Sequence, residues 1–130
     1  MSTSKLEVGH TQDGQNVVVK IKPDDDDEVS VTVPAFAIGS LATGLLGAAA
    51  DCGRKTGQMT RLETKQLDPR KLGHVLAHEA AVAEDKARPE ILVVVFAIGA
   101  TELSIGIPRD ISAQLGTSLL TLSADNSAAN

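Results

Sequence analysis

The sequence predicts an α+β fold: a two-layer domain, mostly antiparallel sheet with two helices on one face, built by internal duplication of a β-β-(β)-α unit. Three observations carry this. Glu28–Pro34 (EVSVTVP) lies over Glu102–Pro108 (ELSIGIP) at a constant offset of 74. The register continues without a gap, taking Leu41–Leu46 onto Leu115–Leu120, with seven identities in 19 aligned positions. Each copy then reads the same way physically, as a β-branched run, an alternating strand, a proline and a helical spacing.

The elements follow in order. Leu6–Thr11 reads as a first strand leading into Asp13-Gly14, a two-residue hairpin signal, and then into the strand Val17–Ile21. Val17–Val19 matches Val93–Val95 at an offset of 76, which implies two extra residues between the strands of the first copy. In the next strand Val29, Val31 and Val33 share one face, as Leu103, Ile105 and Ile107 do in the second copy. Val31 and Ile105 are therefore expected at equivalent buried positions under the helices. Pro34 and Pro108 end these strands and suit the first turn of a helix. Ile38, Leu41, Leu45 and Ala49, and then Ile111, Leu115, Leu119 and Leu122, mark the helix faces that should cover the sheet.

Between the copies, residues 52–74 read as a basic connector, with a further strand suggested over Met59–Leu67. Lys71–Glu84 is contested: Leu72, Val75, Leu76 and Ala80 fit a helical face, while the repeat favours a strand near Glu79–Glu84 before Ile91–Phe96. The whole, residues 1–130, reads as a single domain with repeats at about 6–50 and 78–123, and Asp125–Asn130 as a fraying tail. A chain of this length is expected to bury roughly two-thirds of its unfolded surface without disulfide or metal.

Composition excludes several functions. A net charge of −5, with Phe36 and Phe96 the only aromatics, argues against nucleic-acid binding, a carbohydrate site or a ring-lined cofactor pocket. Cys52 is the single cysteine, which fits a reducing, cytoplasmic setting, and the first ten residues lack the apolar core of a signal peptide. Residues 29–50 carry no charge, but Pro34 and the alternating valines interrupt a helical span, and the second copy carries Arg109, Asp110 and Gln114. No membrane partner is expected.

Candidate chemistry is sparse. His74 and His78 stand four apart beside Glu79, a zinc-like pair on a helix, with Cys52 as a conceivable third ligand. No second cysteine or histidine lies at ligand spacing, so neither metal nor cofactor is expected. Arg54 and Lys55 flank Cys52, yet a nucleophile also requires a base and an oxyanion site. Gly47–Thr56 ends in GRKT, but the glycine spacing and the interposed Arg54 exclude a phosphate loop. The acids of Asp24–Glu28 fit a lengthened, solvated hairpin tip better than a calcium loop.

Charge is segregated. Residues 52–74 hold six bases and two acids, +4, against six and fifteen elsewhere, −9. Arg54, Lys55, Arg61 and Lys65 could thus contact an anionic partner. Ala35, Gly39, Thr43 and Gly47 recur every four residues as a ridge of small side chains, suited to close helix packing in a self-interface. The function expected is a small soluble assembly protein, homodimeric and without catalysis. A ligand module with a pocket between the repeats is the alternative, followed by an enzyme or metal protein using His74, His78, Glu79 and Cys52.

Overall fold

Alternating β-branched runs produce six strands, and each proline that ends a third strand hands the chain to a helix. The structure, a computed structural model, describes residues 5–24, 27–62, 67 and 73–129, the last five by backbone alone. Strands β1 (Lys5–His10), β2 (Asn16–Lys22) and β3 (Val29–Pro34) lead through a 3-10 turn at Ala35–Ala37 into α1 (Ile38–Thr56). Strands β4 (Glu79–Glu84), β5 (Ile91–Ile98) and β6 (Thr101–Pro108) lead directly into α2 (Arg109–Ala129). The chain is an α+β mix of two antiparallel three-stranded sheets, β1-β2-β3 and β4-β5-β6, with two helices. The single sheet of six strands expected from the sequence is thus divided in two.

Register corrects one detail of the sequence alignment. Val17 pairs with Val33 in the first sheet, and Leu92 pairs with Ile107 in the second. Counted from the two prolines, Val17 corresponds to Leu92, an offset of 75 and not 76. A one-residue shift exchanges the two faces of a strand, so the run of valines was a misleading anchor. After each proline a backbone bond closes the sheet onto the helix: Ala35 N–H donates to Gln15 O at 2.9 Å and Arg109 N–H to Glu90 O at 3.2 Å.

Other boundaries differ as well. Asp13 and Gly14 lie inside a longer loop, closed by Thr11 N–H donating to Asn16 O, with Gly14 at φ 72° in the left-handed region. Of the contested stretch, residues 73–77 are coil and Glu79–Glu84 is strand, while 71–72 lie outside the described residues. No strand forms among the described residues of 59–67. Helix α1 runs on to Thr56, so Cys52, Arg54 and Lys55 belong to it and not to the connector. Gly57, at φ 74°, supplies its left-handed C-terminal cap, and Arg54 and Lys55 in the last turn oppose the helix dipole. Helix α2 continues to Ala129 through the expected tail.

Directly opposed residues of antiparallel strands share a face. In the first sheet one face therefore carries Leu6, Val8 and His10, then Val17, Val19 and Ile21, then Val29, Val31 and Val33. The other face carries Lys5, Glu7, Lys20, Lys22, Ser30 and Thr32. In the second sheet Val82, Leu92, Val94, Phe96, Leu103, Ile105 and Ile107 share the apolar face, and α2 packs against β5 and β6. Helix α1 makes its main contact with β6 of the second sheet, not with the sheet it follows.

The apolar faces remain open. Val31 and Ile105 hold corresponding pairing positions but are 49% and 41% exposed, against the expectation of burial. Among the described residues Gly39 alone is buried. The chain exposes 10,936 Å², whereas a compact monomer of 13.5 kDa exposes roughly 6,500 Å². Full burial of one aliphatic side chain is worth about 1.5–3 kcal/mol, and most of that stabilisation is not realised within one chain.

Candidate functional site

Three features stand out: a close helix–strand junction, an uncovered apolar sheet face, and an uncovered helix face. The junction forms because α1 begins four residues after Pro34 with a glycine in its first turn. Gly39 N–H donates to Thr101 Oγ1 at 2.7 Å, and that hydroxyl donates to Phe36 O at 3.0 Å. A Cβ on Gly39 would lie 1.7 Å from Glu102 O and 2.9 Å from Thr101 Oγ1, so only glycine permits this approach. Thr43 Oγ1 donates to Gly39 O at 2.8 Å along the same side of the helix. The close neighbour of Gly39 is thus β6 of its own chain. Gly47, further along the predicted small ridge, has open space where a Cβ would stand.

The second feature is the aliphatic face of the β1-β2-β3 sheet, on which Val8 is 67% exposed. It carries no carboxylate or basic chain, and His10 at its corner lies with Nδ1 2.8 Å from Thr11 O. The third is the α1 face bearing Leu41 and Leu45, the latter 64% exposed. At about 100° per residue these lie some 200–240° round the helix from Gly39, on the side away from β6.

Under α2 a groove of about 310 Å³ is lined by Val82, Leu92, Val94, Phe96 and Ile107 of the sheet and Leu115 and Leu119 of the helix. It lies inside the second βββα unit, whereas the sequence placed a pocket between the units. Ser112 supplies the one side-chain hydroxyl of its lining, so the groove suits apolar matter and has little means of orienting a polar ligand.

The candidate chemical residues do not converge. Cys52 is exposed on α1, with Thr56 Oγ1 donating to its carbonyl at 2.8 Å. Arg54 pairs with Asp51 one turn back. His74 lies in coil, not on a helix, and His78 sits at the start of β4 with Nε2 3.4 Å from Gly99 O. Among the described residues no group of three or more His, Cys, Asp or Glu could hold a metal ion. Arg54, Lys55 and Arg61 are exposed, and Lys65 lies outside the described residues. Sequence reading missed Thr101, the residue that ties the units together, because nothing local marks a threonine after a Gly-Ala turn as a helix anchor.

Two carboxyl groups are perturbed. Asp13 is held below the usual carboxylate range by the Thr11 hydroxyl at 2.6 Å and then by Gln15 N–H at 3.0 Å. Glu90 is lowered by its own backbone N–H and then by Arg88, 3.1 Å away. Both stand in exposed turns and shape loops without forming a reactive centre.

The segment Ala35–Thr56 is long and apolar enough to cross a membrane by length and composition, with mean hydropathy 1.4. Its first residues, Phe36 and Gly39, are bonded to Thr101 at the sheet edge. Comparison with family models, curated proteins and solved structures gave no match.

Proposed function

We propose that this chain is a self-assembling interaction protein without catalysis, an obligate homodimer built from a duplicated βββα unit. The observation that carries the reading is a pair of open apolar faces, the β1-β2-β3 sheet with Val8 67% exposed and helix α1 with Leu45 64% exposed. Contiguous open apolar faces on a stable protein mark interaction surfaces. The duplication is supported by the matched strand order, by pairing registers that correspond at offsets of 74 and 75, and by the paired bonds after Pro34 and Pro108. The exposed thiol of Cys52 supports a reducing, cytoplasmic setting.

A small-ligand module is the second reading, favoured by the apolar groove under α2. Native mass spectrometry at micromolar concentration separates the two. A dimer of twice 13.5 kDa with no retained mass is the expected result. A folded monomer overturns self-assembly, and a monomer with a bound small molecule replaces it with the ligand reading.

A further inference from the structure

We infer that the open face of the β1-β2-β3 sheet is covered by α1 of a second copy, each chain giving its helix to the other. This rests on the self-assembly reading and names its surface. In the second unit α2 lies across its own sheet, and Leu115 and Leu119, 44% and 59% exposed, line one groove with Val94 and Phe96. By the repeat, Leu41 and Leu45 are the counterparts of Leu115 and Leu119. The first unit therefore holds both halves of the same packing, an aliphatic sheet face and a leucine-bearing helix face, each exposed.

The junction explains why they do not meet within one chain. Gly39 and Thr101 hold α1 against β6, which turns Leu41 and Leu45 outward. A two-fold arrangement satisfies both halves twice over, because each sheet receives what each helix offers. Face-to-face packing of the two sheets accounts for less. Three strands of about six residues present a footprint of only about 14 by 20 Å. That leaves the helix leucines exposed. Helix exchange buries the sheet face and the helix face on both chains.

The test uses single-cysteine chains in a Cys52→Ser background, one carrying Val31→Cys and the other Leu45→Cys. Mixed at micromolar concentration and oxidised, they should form the Val31→Cys/Leu45→Cys heterodimer at least tenfold over either homodimer. A dominant Val31→Cys homodimer overturns helix exchange in favour of sheet-on-sheet packing. Closure within one chain, in a variant carrying both cysteines, overturns it in favour of packing in cis. Either result with an intact wild-type dimer leaves the self-assembly reading standing, whereas a wild-type monomer removes both. Hydrogen exchange of the wild-type chain guards against variants that fail to fold: β1–β3 and α1 amides should lose protection together, more than tenfold, on dilution through the dimer dissociation range. Concentration-independent protection overturns the proposal. So does flotation of the wild-type chain with phosphatidylcholine vesicles, which would assign the α1 leucines to lipid.

Discussion

Replacing Gly39 by alanine should be the most damaging single-methyl change in this protein. The new Cβ would stand 1.7 Å from Glu102 O, 2.9 Å from Glu102 C and 2.9 Å from Thr101 Oγ1, all well inside contact distance. Two of these are backbone atoms of β6 and cannot turn aside, so the helix must retreat. Retreat stretches the 2.7 Å bond from Gly39 N–H to Thr101 and the 3.0 Å bond from Thr101 to Phe36 O beyond useful length. Each bond is worth about 0.5–1.5 kcal/mol, and leaving half-buried partners unpaired adds to the loss. Overpacking strain contributes about 1–3 kcal/mol. Against this, alanine favours the helix over glycine by about 0.8–1 kcal/mol. The net expectation is a loss of about 2–4 kcal/mol, read by urea denaturation at fixed protein concentration, since a dimer's stability depends on it. Gly44→Ala is the control: nothing lies within 4 Å of its Cβ, so it should gain up to about 1 kcal/mol. Equal or greater stability for Gly39→Ala would refute the close junction.

Two further outcomes follow from the same structure. Thr101→Val should cost about 1–3 kcal/mol in urea denaturation, because it leaves Gly39 N–H and Phe36 O without their partner, while Thr101→Ser should retain most of the stability. Asp13, whose carboxyl is lowered by Thr11 and Gln15, contributes stability that is present above its unfolded pKa of about 3.9 and lost as pH falls through the lower folded value. Asp13→Asn removes this titration, so it should flatten the stability–pH curve below about pH 4 and lower neutral stability slightly, towards the wild-type value in acid; an unaltered acid slope counts against this assignment.

The strands and helices were legible because their signals are local. Val29, Val31 and Val33 alternate, Pro34 and Pro108 stop the strands, and leucines recur at helical spacing, so pattern alone located β3, β6, α1 and α2. The offset at Val17 was misjudged because a run of β-branched residues matches itself at several registers, and only cross-strand pairing to the proline fixes it. The ridge of small residues did signal close approach at Gly39, but helical periodicity cannot say whether a strand, a helix or another chain is the neighbour. The docking of α1 on β6 depends on a bond between residues 62 apart, which no local pattern encodes, and alternation within strands does not say whether two local sheets join into one.

That separation sets a clock on synthesis. Ribosomes add about 5–20 residues per second, so Gly39 emerges roughly 3–12 s before Thr101 exists to receive it. The first three strands can pair during that wait, since their hairpins are local. Their valine face and the helix beyond Pro34 meanwhile stand wet on a tethered nascent chain. Neighbouring ribosomes on one message carry identical half-finished sheets, and the edges of β1 and β3 invite them to pair with one another. Asp24, Asp27 and Glu28 fall between β2 and β3, and like charge beside a strand disfavours such pairing.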